Sequence, residues 1–201
     1  MIKSIAIPVA SLSVGLVLAG ALMQKRVAAV ALDAFPQAAE KQDHSPAMRK
    51  PGPEMDRLKF LIGTWDFDGE YAKSPMVPQG GKETGWYKAR MGPGGFSIVT
   101  DFEADGPIGK EIGHQVLTWD PKENTYKFYT AGNSFPGVIV TTARWEGANL
   151  VTSGEFSEGG TKISLRSIYM DIQEKSVTIE EWYRAGDTPD QLLIRTKATR
   201  K

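Results

Sequence analysis

From residue 64 to its last residue the chain is a succession of ten short runs rich in Val, Ile, Thr, Tyr, Phe and Trp, separated by turn residues. The runs fall near 64–71, 83–91, 95–103, 112–119, 125–131, 138–145, 149–156, 161–170, 176–184 and 191–199. "DPKEN" (120–124), "EGAN" (146–149) and "QEKS" (173–176) are compact hairpin turns, so successive runs pair antiparallel. An open sheet of ten twisted strands would leave two unpaired edges, and closure into a cylinder removes them. The expected fold is therefore all-β: an antiparallel up-and-down β-barrel of about ten strands over residues 53–201. "TWDPKENTY" contains the Trp-Asp of propeller blades, but the segment occurs once and no period of about 40 residues accompanies it.

The remainder of the chain reads differently. Residues 4–23, "SIAIPVASLSVGLVLAGALM", are apolar and uncharged behind Lys3, and small residues follow at 27–31. This is the pattern of a secretory signal over 1–31. The run also approaches the roughly 20 residues that span a bilayer, so a retained N-terminal anchor is the alternative. Either way the barrel is expected outside the cytoplasm, periplasmic or secreted, touching membrane only through an uncleaved N-terminal segment. Residues 32–52, polar and broken by Pro36, Pro46 and Pro51, read as a flexible linker. Lys plus Arg and Asp plus Glu both total 24, so no basic field points to nucleic acid. The chain has no cysteine, hence no disulfide and no lipid-bearing Cys.

"PGPEMDRLKFLIG" reads as one short helix, with Pro53 at its first position and Gly63 ending it. It runs straight into the first strand, where "TWDFD" alternates. Connections such as "AKSPMVPQGGK", "ADGPIGKEI" and "AGDTPDQ" are longer than "GPGG", "DPKEN", "EGAN" and "QEKS". Alternate connections of a meander share an end, so the long ones are expected to rim an open mouth. The tight ones, with the helix, would form a closed floor.

Four segments, "PGPEMDRLKFLIGTW" (51–65), "GPGGFSIVTDFE" (92–103), "IGHQVLTWDPKENTYKF" (112–128) and "ATR" (198–200), together resemble calycin barrels, the lipocalin and nitrobindin-like proteins. In particular they resemble a bacterial family of such barrels catalogued as domain of unknown function 1579. The resemblance spans nearly all of 51–201 and implies a fold without implying a reaction. It also implies that the Trp of Gly63-Thr64-Trp65 packs beneath the barrel against an Arg of the last strand. Strand parity chooses between the two candidates. Arg200 shares a face with Leu192, Ile194, Thr196 and Ala198, whereas Arg195 shares the opposite face with Lys197. Trp65 and Arg200 are the expected floor pair.

Function is expected in the lumen. Aromatic and polar residues near mouth-proximal strand ends, namely Tyr71, Trp86, Phe102, His114, Phe128, Arg144 and Trp182, are the candidate ligand-binding residues. Neighbouring strand positions alternate faces, so about half of any such set points outward. The leading reading is non-catalytic binding of a small hydrophobic or aromatic molecule. The alternatives are a lumen-based isomerase or lyase, which needs inward Arg, Glu, Tyr or His groups to converge, and an interaction module using the barrel exterior. No cofactor is expected. The nitrobindin-like branch implies a haem-binding His late in the chain, and none follows His114. Zinc would need further ligands. No catalytic residue is assigned: Ser97, Ser134 and Ser153 lack a Gly-x-Ser-x-Gly context. Glu180 and Glu181 adjoin on one strand and so face opposite sides.

Overall fold

The computed structural model describes residues 50–201 apart from Gly159. The expected signal or anchor, and the expected linker up to residue 49, lie outside the described residues. Ten antiparallel strands close into a barrel. In chain order they are β1 (Gly63–Tyr71), β2 (Gly81–Met91), β3 (Ser97–Gly106), β4 (Gly109–Asp120), β5 (Thr125–Gly132), β6 (Ile139–Glu146), β7 (Asn149–Glu158), β8 (Thr161–Met170), β9 (Ser176–Ala185) and β10 (Gln191–Arg200). Each strand pairs with its sequence neighbour, and β1 pairs with β10 from Trp65↔Arg200 to Tyr71↔Ile194. That last ladder removes both edges.

The floor is a plug of side chains. The helix expected as one piece is two: α1 (Pro53–Asp56), then a 3-10 turn at Lys59–Leu61. Met55, Leu58 and Leu61 are all buried. Their spacing of three residues matches the tighter 3-10 period better than the α-helical one, which explains the split. These three side chains enter the end of the barrel and pack on Ile98, Leu117, Tyr126, Phe128 and Leu150. The Tyr126 hydroxyl donates to the Glu54 carbonyl at 2.9 Å, tying α1 to β5. Gly63 then turns the chain into β1 at φ 135°, a backbone conformation that L side chains rarely adopt.

One connection and one register differ from expectation. β3 and β4 extend until Gly106 pairs with Gly109, leaving a tight turn at Pro107-Ile108 where a long loop was expected. Of the mouth connections, residues 72–80 make the largest. The floor is thus closed by the inserted helix, because the two ends do not differ systematically in loop length. Along β10 the register shifts between Leu192 and Ile194. The extra residue of this bulge, Leu193, moves Leu192 off the face it would otherwise share with Ile194 and Arg200. Leu192 pairs instead with Trp182, while Ile194 pairs with Glu181.

Candidate functional site

Above the plug the barrel encloses a cavity of about 320 Å³. Its lower wall includes Phe67, Phe128, Ile179 and Ala198, and its middle carries hydroxyls from Thr100, Thr141, Thr152, Ser167 and Thr196. Two inward rings lie across glycines of the neighbouring strand. Phe67 pairs with Gly85, where an added Cβ would come 2.3 Å from the ring. Phe102 pairs with Gly113 in the same way, at 2.4 Å. The missing side chains let both rings lie against the wall, so the lumen stays open.

Towards the mouth the lining becomes acidic. Glu83 on β2, Glu111 on β4 and Glu181 on β9 all border the cavity. Among the described residues the lining contains no Lys, Arg or His. Tyr71 donates its hydroxyl to Glu83 Oε1 at 3.0 Å. Ser134, from the β5–β6 loop, donates to Glu111 Oε1 at 2.7 Å. Burial pushes the Glu83 carboxyl above the ordinary carboxylate range, against the hydrogen bond from Tyr71. Glu181 is pushed up to about 7, first by enclosure within the protein and then by the charges of Glu83 and Glu111. Its side chain is exposed, but to the space of the cavity, with barrel wall around it. The Tyr71 phenol is raised by burial and then by Glu83.

At the floor, Trp65 is completely buried. Its indole Nε1 donates to the Leu61 carbonyl at 3.1 Å, and its ring stacks on Tyr87 at 5.6 Å. The Arg200 guanidinium lies 4.5 Å from the Trp65 ring centroid and donates to the Phe60 carbonyl at 2.8 Å. The Tyr87 hydroxyl is buried with no hydrogen-bond partner among the described residues, and burial raises its pKa.

The residues nominated from sequence divide by strand parity. Tyr71, Phe102 and Phe128 border the cavity. Trp86 does not: it pairs with Asp66 and Glu103 on the outer face, and its inward neighbours are Gly85 and Tyr87. His114 is outside as well, 2.6 Å from Asp101 Oδ1 with most of its side chain in solvent. Arg144 lies outside beside Glu146. Trp182, paired with Arg166, borders an open hollow of about 460 Å³ on the wall formed by β6 to β9. Tyr183, next to it, faces in and donates to Gln191 Oε1 at 3.1 Å. The outer wall also carries an apolar row across four strands, Val99–Val116–Tyr129–Val140.

Sequence reasoning missed Glu83 and Glu111. The signal was present in the alternation: Glu83 occupies the face of Gly85, Tyr87 and Ala89, and Glu111 that of Gly113, Gln115 and Leu117. Of the adjacent pair on β9, Glu181 faces in and Glu180 faces out towards Arg195. No group of acidic or His side chains among the described residues converges as a metal site.

No family model matches the chain, and no curated protein sequence matches it. Solved structures do. The crystal structure of Rv2717c from M. tuberculosis aligns with a TM-score of 0.54 and 14% identity, over 76% of this chain and 99% of that one. The S-type phycobiliprotein lyase CPES from Guillardia theta aligns with a TM-score of 0.48 and 11% identity, over 73% of this chain and 91% of that one. At this identity the likeness to Rv2717c is one of fold alone, a closed antiparallel barrel of ten strands.

Proposed function

We propose that the barrel binds a small organic molecule in its lumen. The observation that carries this reading is a cavity of about 320 Å³ stoppered at one end and lined by aromatic rings, hydroxyls and carboxylates. A chain whose interior served stability alone would fill that space, since vacant core volume is destabilising. The lining is more polar than the sequence suggests, so the ligand is amphiphilic rather than purely hydrophobic. The four motif segments support membership of the domain of unknown function 1579 family, and the apolar run at 4–23 supports export or anchoring. Both belong to the same reading.

The neutral dye N-phenyl-1-naphthylamine provides a test, since its emission rises on transfer to an apolar site. Emission is expected to rise with the full chain and to stay low with Thr196→Trp, which places an indole in the lumen. Equal emission from both proteins, or none from either together with no small molecule in native mass spectra, would count against lumen binding.

A second reading is acid–base catalysis in the lumen, of isomerase or lyase type. One observation favours it: a carboxyl held to about 7 is suited to giving and taking a proton near neutral pH. Turnover of a bound ligand, lost in Glu181→Gln while binding persists, is the outcome that would distinguish it.

A further inference from the structure

We infer that the ligand of this lumen is an organic cation, whose positively charged nitrogen lies among Glu83, Glu111 and Glu181 while its apolar part runs down towards Phe67, Phe128 and Ile179. This deepens the lumen-binding reading and rests on it.

Charge balance is the first argument. Three carboxylates from three strands share one cavity, and among the described residues no basic side chain borders it. Two outward-facing cations next to these strands pair with other acids: Lys110 reaches Glu103 at 2.6 Å, and Arg195 lies 3.6 Å from Glu180. Among the described residues the acids therefore face one another and neutral groups, including the phenols of Tyr71 and Tyr169 and the Ser134 hydroxyl. Enclosure within the protein, and then repulsion from the like charges of Glu83 and Glu111, hold the Glu181 carboxyl partly protonated near neutrality. A bound cation relieves that repulsion, and an anion adds to it.

Unfilled hydrogen-bonding capacity is the second argument. Thr100 and Thr196 are more than nine-tenths buried and border the cavity; among the described residues neither makes a side-chain hydrogen bond, and neither hydroxyl is sealed off as that of Tyr87 is, so both open on the lumen. Buried hydroxyls are ordinarily partnered. Their position deeper than the acids suits a ligand that passes the carboxylates and continues inward. The geometry also speaks against a bare metal ion, because the three acids do not converge as ligands. An organic ammonium, with several N–H donors and an apolar body, can engage separated carboxylates and the aromatic faces between them.

The test uses one chain length with three head groups. Octylamine, octanol and octanoate are titrated calorimetrically into the full chain at pH 7.5, and into Glu181→Gln and Glu83→Gln. Octylamine is expected to bind about tenfold tighter than octanol, or more, and octanoate weakest of the three. In each variant the amine's advantage shrinks while octanol affinity stays within about twofold. The three-way comparison on the unaltered protein stands even if a variant fails to fold. Octanol or octanoate binding as tightly as the amine would overturn the cation assignment and leave lumen binding intact. An amine preference unchanged in both variants would also overturn it, because the charge would then be read elsewhere. If none of the three binds, both this inference and the reading beneath it fall.

Discussion

Arg200 contributes to the floor in two ways: its guanidinium covers the Trp65 ring, and it hydrogen-bonds the Phe60 carbonyl. Removing it exposes one face of a buried indole and leaves a buried carbonyl without that donor. Arg200→Met is therefore expected to cost about 1–3 kcal/mol in urea denaturation. Arg195→Met, on the outer face, should cost no more than about 0.5 kcal/mol. Glu181 makes a prediction of opposite character. Its folded pKa of about 7 stands above the ordinary carboxylate value, so between roughly pH 4.3 and 7 the native state binds more protons than the unfolded state. Its contribution is fully present below that window and is lost as pH rises through it. Cavity water screens the group, which reduces the effect to about 1 kcal/mol, a few degrees in Tm. Melting curves from pH 5 to 8 should show a decline that is shallower in Glu181→Gln, and identical slopes would refute the assignment. Tyr71 and Trp86 show what was legible at this scale. Residue type nominated both, strand parity separates them, and the paired register fixes which parity faces the lumen.

Strands that carry a glycine opposite an inward phenylalanine form a second level of organisation. A Cβ at Gly113 would lie 2.4 Å from the Phe102 ring and 2.7 Å from the Ala131 carbonyl oxygen. The backbone cannot yield cheaply, so Gly113→Ala is expected to cost about 1–3 kcal/mol and to drive the ring into the lumen. Denaturant midpoints and dye emission should fall together; a loss of stability with unchanged emission would show that the glycine does not keep the lumen clear. The plug makes a comparable prediction. Leu58 is completely buried, and Leu58→Ala should cost about 2–5 kcal/mol by thermal or urea unfolding. Element identity was readable because β-branched and aromatic runs alternate between turn residues. Element ends were not. The β3–β4 ladder runs to Gly106↔Gly109 through a Pro-Gly-rich segment that has the local chemistry of a loop. Cross-strand hydrogen bonds, which no local signal encodes, decided it. The bulge at Leu193 was hidden for the same reason.

Closure is a property of the whole molecule. β1 meets β10 over seven paired positions, and the last residues tie in further, Lys201 N–H donating to the Thr64 carbonyl at 2.9 Å. Ending the chain after Thr196 would leave the lower half of β1 unpaired on that side and remove Arg200 from the floor. Such a chain is expected to lose its cooperative unfolding transition, and a sharp transition with unchanged midpoint would show that the last turn of the seam is dispensable. By itself the sequence determined that this is a ten-run antiparallel meander, that such a meander must close, and that Trp65 belongs with Arg200 rather than Arg195. The first two rest on alternation and edge avoidance, which are local or topological; the third rests on the resemblance to calycin barrels, within which parity chose the arginine. The gathering of three acids around one lumen came only from the tertiary structure. Glu83, Glu111 and Glu181 are far apart along the chain and individually resemble any surface glutamate. Strand register turns them inward, and closure brings β2, β4 and β9 around one space in which Glu181 feels the charges of the other two.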